Sequence, residues 1–87
     1  MNKRQFHIMI GSLGAIIGII VFLAYIPQIF ANLAGEKSQP WQPLFAAISC
    51  FVWVLYAWTK EPKRDYILMV PNITGVIFGL ITFATSL

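Results

Sequence analysis

The sequence predicts an all-α membrane protein built as a bundle of three spanning helices. Three observations carry that prediction. Of the 87 residues, 59% are apolar and 10% charged, against about 25% charged in soluble domains. A water-soluble domain this short cannot bury so much apolar surface in one core, so lipid is the natural solvent. The charges are also segregated: no Asp, Glu, Lys or Arg lies between Arg4 and Glu36, between Lys37 and Lys60, or after Asp65. Finally, the three apolar runs are continuous rather than alternating, which fits helices and not the ~10-residue alternating strands of a membrane barrel.

A spanning helix needs about 20 apolar residues to cross a ~30 Å hydrocarbon core. The first run, residues 8–33, is long enough to cross with tilt or a kink. The second, 43–59, is near the short limit, and the third, 66–86, fits well. The N-terminus superficially resembles a signal peptide, with Lys3 and Arg4 ahead of an apolar stretch. Its apolar run outlasts the usual 7–15-residue core and no small-x-small cleavage site follows at the right distance, so it reads as a retained span. The 87 residues read as one unit without an internal repeat.

The connections carry breaker chemistry. Gly35-Glu36-Lys37-Ser38-Gln39-Pro40 is a hydrophilic turn, and Pro43 suits the first turn of the second helix. Lys60-Glu61-Pro62-Lys63-Arg64-Asp65 is the second loop, with Asp65 placed to cap the third helix. Trp41, Trp58 and Tyr66 fall where an interfacial aromatic belt is expected. Gly14 and Gly18 in the first helix, with Gly11 a turn earlier, and Gly75 and Gly79 in the third are small-xxx-small steps. They favour close contact between helices one and three, within one chain or between two.

Polar residues inside the runs are the candidates for function. Pro27 lacks an N–H and strips the Leu23 carbonyl of its helical donor, which in lipid must find another. Gln28 carries an amide able to supply one. Tyr25, Gln28 and Asn32 share a face, and this set reads equally well as a plain proline kink or as a hinge lining a path. Ser49, Trp53 and Tyr56 share a face of the second helix, and Asn72 shares one with Gly75 and Gly79 on the third. Trp53 and Asn72 each lie about 10 Å in from the second loop at ~1.5 Å per residue. An indole packs on the C–H face of a pyranose, and an Asn amide donates to and accepts from its hydroxyls. Against this stand ordinary readings: Trp53 packing or facing lipid, and Asn72 acting as interhelical glue worth ~0.6 kcal/mol.

Other chemistries are missing. The sequence shows no metal-ligand cluster, no Gly-rich phosphate loop and no nucleophile–base pair, so neither an enzyme nor a cofactor is expected. Cys50 reads as a small hydrophobe, and His7 as interfacial. No carboxylate lies within a span, so no buried proton carrier of the kind pumps use is present. The net charge of +3 is juxtamembrane, which points to lipid headgroups rather than nucleic acid.

The ordered set Pro27-Gln28, Trp53-x-x-Tyr56 and Asn72-x-x-Gly75, over a chain of this length, resembles the PQ-loop superfamily and within it the bacterial SemiSWEET half-transporters. The resemblance covers essentially the whole chain. It implies three helices in the order 1-3-2, assembled as a parallel six-helix homodimer, as in other proteins built from parallel repeats. It further implies facilitative transport of a mono- or disaccharide by alternating access. Trp53 and Asn72 of both copies, with Ser49, would bind the sugar. Pro27 and Gln28 would form the cytoplasmic hinge, and Tyr56, Arg64 and Asp65 the extracellular gate, with Lys63 as the alternative cation because the second loop is longer than in compact members. Ala57 stands where the family commonly has Gly, and Phe22-Leu23-Ala24 is more apolar than the matching family stretch.

A bacterial inner membrane is the implied location. Five of the six Lys and Arg residues lie on the side of the N-terminus and second loop, which by the positive-inside rule would be cytoplasmic. The family arrangement puts the N-terminus in the periplasm, and that orientation is adopted because an aligned site and hinge outweigh a small charge count. The alternative function is a non-transporting accessory subunit that packs within a larger complex through its glycine faces. A small multidrug exporter would need a membrane carboxylate, which this chain lacks.

Overall fold

The computed structural model describes residues 2–87. It contains four helical segments, α1 (Lys3–Leu23), α2 (Tyr25–Leu33), α3 (Trp41–Trp58) and α4 (Tyr66–Ser86), with no strand among the described residues. α1 and α2 together form one 31-residue span, and α3 and α4 supply the other two. All three are long and apolar enough to cross a membrane.

The first helix starts at Lys3, ahead of the expected residue 8, because Asn2 and Gln5 form a capping box. Asn2 Oδ1 accepts from the Gln5 N–H at 2.8 Å, and Gln5 Oε1 accepts from the Asn2 N–H at 3.1 Å. Two otherwise orphaned donors are thereby satisfied. The break between α1 and α2 at Ala24 lies next to Leu23, whose carbonyl Pro27 deprives of a donor and crowds with its ring. α2 ends in a Schellman turn: Gly35, at φ +93°, donates to the Asn32 carbonyl at 3.1 Å, and Glu36 to the Ala31 carbonyl at 2.9 Å. That left-handed position suits glycine.

α3 begins at Trp41, with Pro43 in its first turn. The Gln39 side chain accepts from the Gln42 N–H at 2.9 Å. α4 begins where expected, since Asp65 accepts from the Leu68 N–H at 3.1 Å as its N-cap.

α4 packs against α1, α2 and α3, whereas no backbone of α1 or α2 runs along α3. The third span is therefore central, giving the order 1-3-2. The backbone measures 50 × 25 × 13 Å. Three helix axes side by side at about 8–10 Å spacing account for the 25 Å width. The chain is thus one layer of helices, and it encloses nothing by itself.

What lies inside this layer is, apart from Met69, mostly small or polar. The buried apolar residues are Ala47, Cys50, Ala57 and Met69, and the largest fully buried side chains are Asn32 and Thr82. Large apolar residues such as Ile16, Ile20, Phe30 and Phe51 are exposed. This distribution suits a lipid solvent, in which close backbone approach replaces hydrophobic burial as the force between helices.

Three of the four glycines expected to mediate packing have in-chain neighbours. A methyl placed on Gly75 would lie 2.5 Å from Cys50 Sγ on α3 and 2.7 Å from the Phe22 ring on α1. One on Gly79 would meet the Pro43 carbonyl at 3.0 Å, and one on Gly18 would meet Pro71 at 3.1 Å. Gly14 faces open space, so the close contact expected of it is not made within this chain. Gly75→Ala is expected to lower stability by about 1–3 kcal/mol through overpacking, read by thermal unfolding in detergent. Cys50→Ala in that background should restore part of the loss, because the two sites are in contact.

Candidate functional site

The Gly75 crossing sets the level of the two residues expected to bind substrate. Cys50 and Gly75 face each other on antiparallel helices. Trp53 lies three residues from Cys50, and Asn72 three residues from Gly75, both towards the second loop. At 1.5 Å per residue each is about 4.5 Å beyond the crossing. Indole and carboxamide therefore stand at one depth.

The groove that Asn72 lines does not include Trp53. Asn72 lines a groove of about 390 Å³ between α1 and α4, together with His7, Gly11, Gly14, Gly18, Phe22 and Asp65. Trp53 is outside it, 48% exposed on α3. Its ring meets Tyr56 edge-on, with centroids 5.4 Å apart at 84°. Ser49 and Tyr56 are likewise exposed on α3. Gly14, which has no in-chain partner, forms part of the groove wall opposite Asn72.

Asn72 is half-buried and donates from Nδ2 to the Leu68 carbonyl at 2.8 Å. A primary amide carries two N–H donors and a two-lone-pair acceptor. One donor is thus committed to holding the side chain against its own helix. The second donor and Oδ1 have no partner among the described residues, which leaves a donor–acceptor pair of the kind a hydroxyl requires. Pro71 just before it interrupts the α4 hydrogen-bond ladder at the Ile67 carbonyl.

The Pro27-Gln28 region differs from expectation in one bond. Gln28 does not serve the Leu23 carbonyl; its Nε2 donates to Asn32 Oδ1 at 2.7 Å. Asn32 is the polar hub of the molecule, only 1% exposed. Its Oδ1 also accepts from the Ser38 N–H at 3.3 Å. Its Nδ2 lies within reach of Ser86 Oγ at 2.9 Å, Thr85 Oγ1 at 3.0 Å and the Thr82 carbonyl at 3.3 Å. With two protons for three acceptors, one bond is shared. α2, the first loop and the end of α4 are tied together here. In the sequence, Asn32 stands out only as the far end of a polar face. The signal that could have revealed its partner is Thr82-x-x-Thr85-Ser86, a polar step in an otherwise apolar tail.

The expected gate residues take separate partners within the chain. Asp65 caps α4 and pairs through Oδ2 with Lys60 Nζ at 3.6 Å, so its cation is neither Arg64 nor Lys63. Arg64 lies over the Trp58 ring, 3.9 Å from its centroid, a cation–π contact. Tyr56 stays with Trp53. Among the described residues, no group of three or more His, Cys, Asp and Glu side chains gathers at metal-binding distance.

With fold and geometry in place, comparison with known proteins supplies the class. The model of a family described as sugar efflux transporters for intercellular exchange matches residues 8–85. The chain belongs to that family. It is an integral membrane protein of a transporter class rather than an enzyme class, and sugar is the substrate of that class. The match agrees with the SemiSWEET resemblance seen in the sequence. No curated protein and no solved structure matches the chain.

Asn32 and Asn72 are expected to behave differently on truncation. Asn32→Ala strands Gln28 Nε2 and removes the tie to α4, for a cost of about 1–3 kcal/mol. Asn72→Ala removes one helix-local bond and should cost clearly less. Thermal unfolding of the two purified variants decides.

Proposed function

We propose that this chain is a half-transporter that moves a mono- or disaccharide by uniport, through alternating access in a parallel homodimer. The whole chain acts as one three-helix unit, in a bacterial inner membrane with its N-terminus in the periplasm. The observation that carries the reading is the open layer: Trp53 and Asn72 stand at one depth but on surfaces that no single chain encloses. A second copy facing the first supplies another indole and another carboxamide at the same level, and closes the path from both sides.

Each residue then has a role grounded in its chemistry. The Trp53 rings pack on the C–H faces of the sugar. Asn72 Oδ1 and its free N–H pair with ring hydroxyls, and Ser49, one turn along α3, adds a further hydroxyl. The break at Ala24, caused by Pro27, lets α2 move relative to α1, with Gln28 holding Asn32 as it does so. At the other end Tyr56, Arg64 and Asp65 close the path against their counterparts in the second copy. In that closure Arg64 leaves Trp58 and Asp65 exchanges Lys60 for the partner's cation. Such exposed pairs are worth about 0–1 kcal/mol, which suits a gate that must open readily. Gly14, free in the single chain, gives the second copy room to approach α1.

In liposomes, Trp53→Ala and Asn72→Ala are each expected to abolish sugar flux while the dimer persists; normal flux in both would remove the assigned site. Flux in the unmodified protein should need no proton gradient, because no carboxylate lies in a span. Strict coupling to protons would contradict uniport. Orientation has its own test. A cysteine placed at position 3 should react with a membrane-impermeant thiol reagent in intact spheroplasts, whereas labelling only after lysis would reverse the topology.

A further inference from the structure

At the first-loop end of the molecule, away from Trp53 and Asn72, a second cavity of about 390 Å³ opens between α2 and α3. Its polar wall is formed by Tyr25, Gln28, Ser38, Gln39, Gln42 and Thr82. None of these six is an Asp, Glu, Lys, Arg or His. Thr82 on α4 is ten residues from Asn72, so the two levels are about 15 Å apart along the helix.

The hydrogen-bond inventory of this wall is unbalanced. Tyr25 Oη donates to Gln42 Oε1 at 2.7 Å, Gln28 Nε2 donates to Asn32, and Gln39 Oε1 accepts from the Gln42 N–H. Thr82 Oγ1 donates to the Phe78 carbonyl at 2.7 Å. Those bonds fix the side chains in place. They leave Gln42 Nε2, Gln39 Nε2, Gln28 Oε1 and the Ser38 hydroxyl without a protein partner among the described residues. Neutral donors and acceptors are therefore both left free on residues that line one concavity, beside the Tyr25 ring and the apolar Val21, Ala24 and Pro43.

We infer that this cavity is a second, outlying subsite for a neutral polyhydroxylated ligand, occupied by the transported sugar as it enters or leaves at the first-loop end. Carboxamides match vicinal hydroxyls because each side both donates and accepts, and the absence of charge disfavours ionic solutes. The inference rests on the transport reading for the identity of its ligand. Tyr25 and Gln42 join α2 to α3 directly across the cavity, so a sugar that takes over their hydrogen bonds also loosens the segment beyond the Ala24 break.

The test uses the full chain in nanodiscs. Trp53→Phe and Trp58→Phe leave Trp41, the residue next to Gln42, as the sole indole. Glucose and sucrose are titrated against its emission, with and without Asn72→Ala. The expected result is a saturable change with at least one of the two sugars that survives Asn72→Ala. It should weaken about 3- to 10-fold in Gln42→Ala and in Ser38→Ala, as loss of one neutral hydrogen bond implies. Ser38→Ala removes only an exposed hydroxyl with no fold contact, so it keeps the test sharp if Gln42→Ala does not fold. No saturable change, or one that Asn72→Ala abolishes and neither cavity variant affects, overturns the subsite. Liposome flux by the unmodified chain separates the two proposals. Flux without a Trp41 response overturns the subsite alone, whereas a Trp41 response without flux of any sugar supports the subsite and overturns the transport reading.

Discussion

The arrangement depends on the absence of a side chain at Gly75. Both outer spans converge on this position of α4, with Cys50 and Phe22 occupying the space a methyl would take. In lipid there is little hydrophobic gain in bringing helices together, so contact relies on shape and on polar bonds. The glycine supplies the shape at mid-span, and Asn32 supplies the polar bonds at the first-loop end. Between them they make α4 the central helix and hold the three spans in one layer. The depth of Trp53 and Asn72 is set by the same crossing.

That layer has a functional consequence. A site made only of one chain's residues would lie on an open face, and a sugar bound there would remain in contact with lipid or water along its whole length. In the proposed dimer, two layers face to face would enclose it. The chain's own surfaces are consistent with such pairing. α1 has no buried residue, Gly14 has no neighbour, and the groove wall that carries Asn72 is shared with α1.

Much of the fold was legible in the sequence, for a clear physical reason. Lipid excludes charge, so the gaps between charged clusters mark the spans, and Asp65 and Pro27 announce a cap and a break in their own chemistry. The start of α1 was misplaced because the apolar run begins after the helix does; the capping box of Asn2 and Gln5 is a polar signal that a hydropathy reading passes over. In the candidate site, depth was legible because it follows from counting residues. Lateral position was not, since it depends on which helices touch, and so the groove holding Asn72 but not Trp53 could not be foreseen. The partner of Gln28 was missed for a similar reason. A local carbonyl at Leu23 seemed a natural acceptor, but Asn32 lies one turn on and is fixed by residues of α4 more than fifty positions away.

The central claim is that one chain holds half a transporter. Its most direct test mixes the unmodified chain with the Trp53→Ala variant before reconstitution, at constant total protein and varied ratio, allowing subunits to exchange. If both copies must supply a complete set of site residues, sugar flux falls as the square of the unmodified fraction. A linear fall, in which each unmodified chain contributes independently of its neighbour, would contradict the account.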